Sequence, residues 1–331
     1  MSSIASNDSG IAIAVPVPQD WKNLPPEYAI PARAPTASEA QAYCRRLART
    51  HYENFSVASW FLPARLRQDF FNVYAYCRIS DDLGDEVGDP AASLRLLDQW
   101  EAELDACYAG SPHHPVFVAL AETVNKHAIP KQTFVDLLTA FRQDQRVTRY
   151  STFEDLIGYC RFSANPVGHL VLYLCGYRDA ECQAFSDFTC TALQLANFWQ
   201  DVSVDYAKGR IYLPLEDLRR FGVSEEDIAQ QRNTSAFCDM MQFEVNRARD
   251  WFARGLPLIE KVDRELAIDL DLFSRGGLEI LNAIEAQGFN VLGHRPAISK
   301  PRKLALVARA AWGKLVWGKL AGGKLARGRR A

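Results

Sequence analysis

The fold of this chain is decided by the stretch at positions 74–86, YAYCRISDDLGDE. Apolar residues recur before and inside it at the three-and-four spacing of a buried helical stripe, namely Phe70, Val73, Tyr74 and Cys77. At about 100° per residue, Asp81 and Asp85 continue this stripe one turn apart. Asp82 and Glu86 rotate off it. The pattern predicts a helix that carries two carboxylates toward the interior.

A second acidic stretch at positions 194–205, QLANFWQDVSVD, shows a related pattern. Its polar residues are spaced three, four and four, within an arc of roughly 80°, and are Gln194, Asn197, Asp201 and Asp205. Leu195, Trp199 and Val202 cover the opposite face. A helix that is apolar on its other sides is normally central, so its polar arc points at a cavity or another polar element. We expect the first acidic helix to be that element.

Either carboxylate pair alone is also typical of a solvated helix face, where like charges one turn apart are mildly destabilising. Two inward-facing pairs together favour a binding site, because buried carboxylates are costly unless they pair with cations or coordinate a metal. Mg²⁺ suits the pattern, since it prefers oxygen ligands and is commonly held by carboxylates together with substrate phosphates. The two stretches therefore predict a split site for a metal and a diphosphate.

The chain has 331 residues, of which 48% are hydrophobic. Outside the two acidic stretches it consists mainly of segments with helical periodicity, and few runs show the alternation of β-branched residues that is typical of strands. We predict helices over residues 38–50, 65–86, 91–108, 115–126, 131–145, 152–176, 180–204, 224–229, 235–263 and 265–288. Breaks are expected at 110–112, 129–130 and 209–214, where Gly and Pro punctuate the pattern. The fold class is therefore all-α, with one domain over 37–298.

The regions around this core domain differ in composition. Residues 1–36 contain six prolines among small and polar residues, which predicts a loosely ordered leader. No secretory signal or membrane-spanning stretch is recognisable, so export is not expected. The eight cysteines lack the spacing of zinc or redox motifs, and we interpret them as reduced core residues.

Residues 299–331 form a basic tail with ten Lys or Arg and no acid, which leaves the remaining chain at net −12. The tail repeats Gly-Lys-Leu three times, beside Trp312 and Trp317. This mixture of cationic and interfacial apolar groups favours contact with a membrane surface. A period of five does not gather the lysines on one helix face, so a disordered solubilising tail stays open as the alternative. Nucleic acid is not expected as a partner, because the core domain is acidic and lacks a reader motif.

Three separated motifs carry a resemblance to a known family; they are YCRISDD at 76–82, the stretch 194–205, and KGRIYLP at 208–214. Their order and spacing resemble the squalene/phytoene synthase family over roughly residues 40–300. Further pieces agree, namely an early substrate segment at 51–63, a middle motif with Tyr159 and 167–168, and a last helix and turn at 278–295.

The resemblance implies one helical isoprenoid-synthase domain with a central cavity lined by the two acidic helices. These helices would hold Mg²⁺ ions that bind and ionise a prenyl diphosphate. The implied metal ligands are Asp81, Asp85, Asn197, Asp201 and Asp205. The implied catalytic residues are the four aspartates of this set and Tyr159. The implied substrate-binding residues are His51, Asn54, Phe55, Arg78, Asn165, Gln194, Lys208, Arg210 and Arg295. Aromatic walls would shield a carbocation, and the candidates are Phe55, Tyr74, Tyr159 and Phe198.

Three departures from the common family pattern favour one branch. HYENFS at 51–56 lacks the usual serines, SANPVG at 163–168 places Asn-Pro where small residues are frequent, and Gly277 stands where tyrosine is frequent. These strings are similar to the bacterial hopanoid-pathway branch, which implies conversion of presqualene diphosphate and water to hydroxysqualene and diphosphate, a carbon–oxygen lyase reaction. We hypothesise that the amide of Asn165 or Asn54 positions the water.

Two other readings stay open. Within the family, the alternative is head-to-head condensation of farnesyl or geranylgeranyl diphosphate to presqualene diphosphate, squalene or phytoene. The lack of a dinucleotide fingerprint weakly disfavours a reductive squalene synthase. From another class, the alternative is a non-catalytic membrane scaffold of the same fold, against which the intact acidic motifs argue. We expect a prenyl diphosphate substrate, consider a membrane surface and other squalene-pathway enzymes as partners, and predict a cytoplasmic protein, peripheral on the inner face of the membrane.

Overall fold

The computed structural model describes residues 24–50 and 64–312. Within these ranges the regular structure is helical, apart from one bridge between Arg149 and Ile211. We number the α-helices in chain order as α1 (Ala37–Thr50), α2 (Arg67–Asp85), α3 (Pro90–Ala109), α4 (Pro115–His127), α5 (Lys131–Asp144), α6 (Phe153–Ser163), α7 (Asn165–Cys175), α8 (Ala180–Gln200), α9 (Val202–Ala207), α10 (Leu215–Phe221), α11 (Glu225–Ala229), α12 (Ser235–Gly255), α13 (Leu258–Lys261) and α14 (Arg264–Ala286). Residues 300–312 are also helical and are called the C-terminal segment. The all-α prediction is confirmed.

Helix ends follow the capping chemistry of the sequence. The Asp89 side chain begins α3 by accepting hydrogen bonds from two backbone N–H groups at 3.2 Å each. The same helix ends at Gly110, whose φ of 84° is the left-handed conformation that glycine adopts readily. Thr152 and Asp155 form a reciprocal capping box at the start of α6. Single capping residues therefore determine where these helices begin and end.

Two of the predicted long helices are interrupted. The helix predicted over 152–176 is α6 followed by α7, which meet at a turn at Ala164 (φ −119°, ψ −49°) directly before Asn165 and Pro166. Proline is favoured in the first turn of a new helix, where its missing N–H costs no hydrogen bond. The helix predicted over 235–263 likewise ends at Gly255 and is followed by the short α13.

Two helical stretches have no counterpart among the predicted segments. Helix α10 has only seven residues, which is too short for a clear period. The C-terminal segment lies inside the predicted basic tail, where the many alanine and charged residues leave no clear helical periodicity of apolar residues.

Helices α2 and α8 provide the central walls of the domain. On α2, Tyr76, Ile79 and Leu83 are fully buried, and on α8 so are Leu195 and Trp199. Each large side chain removed from water in this way stabilises the fold by about 1.5–3 kcal/mol. Helix α2 packs against α1, α3, α4 and α5, whereas α8 packs against α7, α12 and α14. The apolar face predicted for the second acidic stretch is therefore confirmed, since Leu195, Trp199 and Val202 are all buried. Both acidic helices also line one cavity.

Gly277 marks a close approach between α14 and its neighbours. A Cβ atom at this position would lie 2.3 Å from Cζ of Phe252 and 2.9 Å from Cδ2 of Leu193. Phe252 is itself 1% exposed, so it occupies the volume that a larger side chain at 277 would need. The glycine found where tyrosine is frequent is therefore accommodated by packing from α12 and α8.

The described end of the predicted leader is packed rather than loose. Pro26–Tyr28 form a 3₁₀ turn, and Leu24 and Tyr28 are 5% and 1% exposed. The prediction of a loosely ordered leader is thus corrected from Leu24 to Tyr28, because these two side chains join the apolar core. Residues 1–23 lie outside the described ranges.

In the described part of the chain, no helix has the length and apolar character needed to cross a membrane. All eight cysteines lie in this part and are free thiols. Three of them, Cys77, Cys175 and Cys190, line the cavity described next.

Candidate active site

An apolar cavity of about 340 Å³ lies between α2, α7, α8 and α14. Helix α2 lines it with Phe70, Val73, Tyr74 and Cys77. Helix α8 lines it with Ser186, Thr189, Cys190 and Leu193. The stripe predicted on the first acidic helix is therefore a cavity wall, with Tyr74 among its aromatic residues as expected.

Both helices run from this cavity toward their acidic residues. On α2, Asp81 follows Cys77 by one turn, and on α8, Asn197 follows Leu193 by one turn. Residues one turn apart share a helix face, so the polar groups continue the two apolar walls at one end of the cavity. We call this the acidic end. The opposite or distal end, at Leu66, lies beside the start of α14.

The helix predicted over 180–204 is broken inside the second motif. Helix α8 ends at Gln200, and Asp201 (φ −105°, ψ 15°) separates it from α9, which carries Asp205. The backbone N–H of Asp201 donates to the carbonyl oxygens of Asn197 (2.9 Å) and Phe198 (3.3 Å), a tightened final turn. The single continuous face expected for this motif is therefore replaced by two short faces.

Cationic side chains join the two acidic motifs. Arg210 Nη2 lies 3.0 Å from Asp85 Oδ1, and Lys208 Nζ lies 3.8 Å from Asp85 Oδ2. Arg295 forms a two-point ion pair with Asp201, in which Nη2 donates to Oδ2 at 2.9 Å. The structure thus brings the KGRIYLP cations to the first acidic helix and Arg295 to the second.

Arg78 and Asp82 form a more deeply buried pair. Arg78 Nε donates to Asp82 Oδ2 at 3.1 Å, and its Nη1 lies 3.5 Å from Asp81 Oδ2. The Tyr28 hydroxyl also donates to Asp82, at 2.6 Å. Asp82 lies off the stripe that lines the cavity, as expected, but it is only 4% exposed because other groups cover it. Helix α2 is covered on several sides, and Arg78 and Tyr28 compensate the cost of burying this carboxylate.

Two carboxyl groups at the acidic end have raised pKa values. Burial, and then the negative charge of Asp85, raise the pKa of Asp81 to about 6, although half of its side chain is exposed. Burial, followed by the charge of Asp201, raises the pKa of Asp205 to about 7. Lys208 opposes both shifts. Burial and like charges disfavour ionisation, so these sites favour the arrival of a cation.

Asp144 is a site residue that the sequence analysis missed. It is the last residue of α5 and accepts a hydrogen bond from the Tyr159 hydroxyl at 2.9 Å. Its other oxygen, Oδ1, is buried without a hydrogen-bond partner among the described residues. Burial raises the pKa of Asp144 to about 7, Arg210 opposes this, and Asp85 adds to it. Because Asp144 stands in no motif, no sequence signal identified it.

Aromatic rings form a wall beside these groups. Phe198 and Tyr212 stack with centroids 3.9 Å apart and ring planes 10° apart. Tyr159 packs against both, at centroid distances of 6.3 Å from Phe198 and 5.9 Å from Tyr212. Tyr212 belongs to the third motif, and the structure places it in this wall, a role that the sequence does not predict.

The remaining predicted residues lie in different places. Asn165 is 6% exposed, and its Oδ1 accepts a hydrogen bond from Thr191 on α8 at 3.0 Å. Gln194 follows Thr191 by three residues and is half-buried. His51, Asn54 and Phe55 lie outside the described residues.

The donor set at the acidic end fits magnesium. Carboxylate and amide oxygens are its preferred ligands, and Asp81, Asp85, Asn197 and Asp205 supply them. Within the described ranges, no three His, Cys, Asp or Glu side chains already converge on one point. Arg210 and Arg295 instead hold two of the carboxylates. An incoming metal with phosphate oxygens would complete a coordination shell that the protein supplies only in part.

A helical domain with an apolar cavity that ends in carboxylates and guanidinium groups belongs to the class of isoprenoid-synthase folds. The profile of the squalene/phytoene synthase family matches residues 48–302. A 15-cis-phytoene synthase of Synechocystis sp. is 32% identical over 299 residues, covering 85% of this chain and 88% of the relative. The chain therefore belongs to the squalene/phytoene synthase family.

Solved structures agree with this assignment. A squalene synthase, HpnC from Alicyclobacillus acidocaldarius, is 46% identical, with a TM-score of 0.74 over 77% of this chain and 96% of its own. A dehydrosqualene synthase solved with a ligand is 28% identical, with a TM-score of 0.75 over 83% of this chain and 96% of its own. The predicted family and fold are confirmed.

Proposed function

We propose that the protein ionises a prenyl diphosphate and converts presqualene diphosphate and water to hydroxysqualene and diphosphate. The observation that carries the prenyl diphosphate part is the apolar cavity whose two walls lead directly to the acidic end. Such a site matches a substrate with a long hydrocarbon part and one highly charged head. The HYENFS and SANPVG strings, and the 46% identity to a protein named squalene synthase HpnC, support the choice of reaction.

In this proposal the acidic end holds the diphosphate. Asp81, Asp85, Asn197, Asp201 and Asp205 would hold Mg²⁺, which acts as a Lewis acid on the leaving oxygens when bound. Arg210 and Lys208, and Arg295 opposite them, would turn from the aspartates toward phosphate oxygens. Arginine suits this role because its planar fork binds phosphate at two points.

The aromatic wall beside the acidic end would then shield the carbocation. The bond between carbon and the diphosphate oxygen breaks with its electron pair on the leaving group. Tyr159, Phe198 and Tyr212 offer ring faces that stabilise positive charge and help to exclude stray water. The rearranged cation accepts an electron pair from one water molecule, whose proton leaves with the diphosphate or solvent. Asn165 is our candidate for positioning that water.

Head-to-head condensation is the second candidate function. It is favoured by the names of two relatives, a 15-cis-phytoene synthase and a dehydrosqualene synthase. The two reactions use the same ionisation step and differ in what traps the carbocation. A non-catalytic scaffold is disfavoured because the carboxylates of both motifs are present and face one cleft.

The test is a product assay with purified protein and Mg²⁺, without a nicotinamide cofactor. Presqualene diphosphate and farnesyl diphosphate are offered separately, and products are identified by mass spectrometry. Hydroxysqualene from presqualene diphosphate supports the proposal. Presqualene diphosphate or a longer polyene from farnesyl diphosphate would assign the condensation instead, and turnover of neither would overturn both.

Replacing Asn165 with Ala should change the product rather than the ionisation step. We expect diphosphate release to fall less than about tenfold, while the share of hydroxylated product falls and elimination products appear, because the amide no longer orients water. The Thr191→Val variant is the matched comparison, since it keeps the amide but removes its 3.0 Å hydrogen bond. An unchanged product profile in both Asn165→Ala and Asn54→Ala would exclude the proposal that either amide positions the water.

Binding of Mg²⁺ with diphosphate should strengthen as pH rises. Metal ligands must be deprotonated, and the raised pKa values of Asp81 and Asp205 lie at about 6 and about 7. The apparent affinity should therefore rise from about pH 5 and level off above about pH 8. In the metal-free protein these two groups contribute the opposite trend to stability. Their stabilising contribution is full below about pH 4, the ordinary pKa of an aspartate, and is lost as pH rises through their raised pKa values of about 6 and about 7.

Calorimetry in two buffers with different ionisation enthalpies measures this proton release. At pH 6.5 we expect Asp81 and Asp205 to release roughly one proton together per binding event, in addition to any proton that the diphosphate itself releases, and the total should be smaller in Asp205→Asn. The exposed Glu86→Gln variant serves as the control on the same helix end as Asp85. Binding that is independent of pH would show that these carboxyl groups do not coordinate the metal.

We also propose that the basic tail brings the protein to the inner surface of a membrane, where other squalene-pathway enzymes would be its partners. The ten cations without an acid in residues 299–331 support this placement.

A further inference from the structure

The chain that follows α14, residues 287–296, packs over the break between α8 and α9, and we call it the post-α14 turn. Val291 and Leu292 anchor this turn in the core, at 0% and 1% exposed. A few residues later the turn presents Arg295, whose guanidinium reaches Asp201. A cation of the acidic end is therefore carried by an element outside the two acidic helices.

Gln200, the last residue of α8, joins the post-α14 turn to the acidic end. Its Nε2 donates to the carbonyl oxygen of Pro296 at 2.6 Å, and its Oε1 accepts from Arg295 Nη2 at 3.2 Å. A side-chain amide can donate and accept at the same time, so two consecutive residues of the turn use both ends of this one. Gln200 is only 6% exposed, which shields both hydrogen bonds from water. The amide thus fixes the guanidinium of Arg295 relative to the end of α8.

The guanidinium that Gln200 holds covers a largely buried carboxylate. The side chain of Asp201 is 13% exposed, whereas that of Arg295 is 51% exposed. A buried carboxylate that loses its partner is costly, so Asp201 needs another cation when Arg295 moves away. Because Arg295 is half-exposed, it can turn toward an arriving anion without leaving a buried site. The pair is therefore built to exchange its partners, with the carboxylate as the fixed member.

We propose that Gln200 is the positioning residue of Arg295 and controls the exchange of this guanidinium between Asp201 and the diphosphate, an inference that rests on the proposed diphosphate site. Without a ligand, the amide keeps Arg295 on Asp201 and so opposes the binding of a metal alone. When a diphosphate arrives with a metal, Arg295 turns toward the phosphate oxygens and releases Asp201. Arginine has five N–H donors, so its bond to Gln200 leaves others for the phosphate. Gln200 should therefore weaken the binding of metal alone and strengthen the binding of diphosphate with metal.

Binding experiments on the full chain test this proposal without turnover. Electron paramagnetic resonance measures the affinity for Mn²⁺ alone, and calorimetry measures the affinity for inorganic pyrophosphate in saturating Mg²⁺. In Gln200→Met, which keeps the side-chain length but neither hydrogen bond, we expect Mn²⁺ to bind about threefold more tightly and pyrophosphate about tenfold more weakly. Arg295→Gln should shift both affinities further in the same two directions. Opposite shifts indicate a positioning role, because a loosened fold would weaken both.

A double-mutant cycle shows whether Gln200 acts through Arg295. In the Arg295→Gln background, Gln200→Met should have little further effect on the affinity for pyrophosphate, because the two side chains are in direct contact. Arg295→Lys changes a half-exposed side chain, so it should fold even if Gln200→Met does not. Lysine keeps the charge but not the planar fork, and we expect this variant to bind pyrophosphate about fivefold more weakly than the unchanged chain.

Ser203→Ala is the matched control, because it removes another bond to the post-α14 turn, from Ser203 Oγ to the Val291 carbonyl oxygen at 3.4 Å. Both affinities should stay within about twofold of those of the unchanged chain. Additive losses in the cycle, a Gln200→Met variant that weakens both affinities, or an Arg295→Lys variant that binds like the unchanged chain would each overturn the positioning role and leave the diphosphate site intact. If the unchanged chain itself did not bind pyrophosphate with Mg²⁺, the proposed diphosphate site would be wrong, and this inference with it.

Discussion

Replacing Asp85 with Asn is expected to lower the rate of diphosphate release by about 10³-fold or more. A carboxylate that holds the metal contributes several kcal/mol to charge stabilisation in the transition state, and each 1.36 kcal/mol is a factor of ten in rate. Asp85 also carries the ion pairs of Arg210 and Lys208, so the amide would weaken both cations' placement. The measurement is a phosphate-coupled assay of diphosphate release from presqualene diphosphate, with farnesyl diphosphate in parallel.

Glu86→Gln supplies the control for that loss. Glu86 caps the same helix end, is exposed, and is expected to keep activity within about twofold. Circular dichroism should show the same helix content in both variants. If Asp85→Asn retained more than a tenth of the activity in saturating Mg²⁺, the proposal that Asp85 coordinates the metal would be wrong.

Helix periodicity predicted much of this molecule because it reports which side of a helix is buried. Phe70, Val73 and Cys77 share a face that lines the cavity, and Asp81 continues it. The same logic paired α2 with α8 through space, although their motifs lie more than one hundred residues apart in sequence. Periodicity carries no information on tertiary contacts, so the partners of each carboxylate could not be predicted.

The features that the sequence did not predict depend on tertiary contacts, on which periodicity carries no information. Asp82 lies off the stripe that lines the cavity, but its burial was not predictable, because Tyr28, which covers it, lies outside the predicted domain range 37–298. The helix ends before Asp201 although no Gly or Pro stands there, so the sequence contained no helix-breaking residue that would predict this end. The Asp201 carboxylate is held by its ion pair with Arg295, which lies 94 residues away in sequence and could not be predicted from the local pattern.

Counter-charge pairing at the acidic end has a functional consequence. Arg210 and Arg295 neutralise Asp85 and Asp201 while the diphosphate is absent. Close ion pairs of this kind reduce the attraction of the carboxylates for a metal alone, whereas metal and diphosphate together can satisfy both sets of charges. Metal and substrate should therefore bind cooperatively.

Replacing Asp144 with Asn should lower the rate of diphosphate release by about 10–100-fold, the usual effect of losing a partner that orients a reacting group. Asp144 accepts from the Tyr159 hydroxyl at 2.9 Å and adds negative charge beside Arg210. The amide can still accept that bond but supplies no charge. The loss should therefore appear mainly in kcat, with a smaller change in KM.

A double-mutant cycle with Tyr159→Phe decides whether Asp144 acts through the tyrosine. If it does, Asp144→Asn combined with Tyr159→Phe should be little worse than Tyr159→Phe alone, because the two residues are in direct contact. Asp136→Asn, two turns earlier on α5 and bonded to exposed Gln132, is the control and should leave kcat unchanged. Fully additive losses would mean that Asp144 acts on Arg210 or on the substrate independently of Tyr159. An unaffected Asp144→Asn enzyme would remove it from the site, and the raised pKa of its carboxyl group would then reflect burial alone.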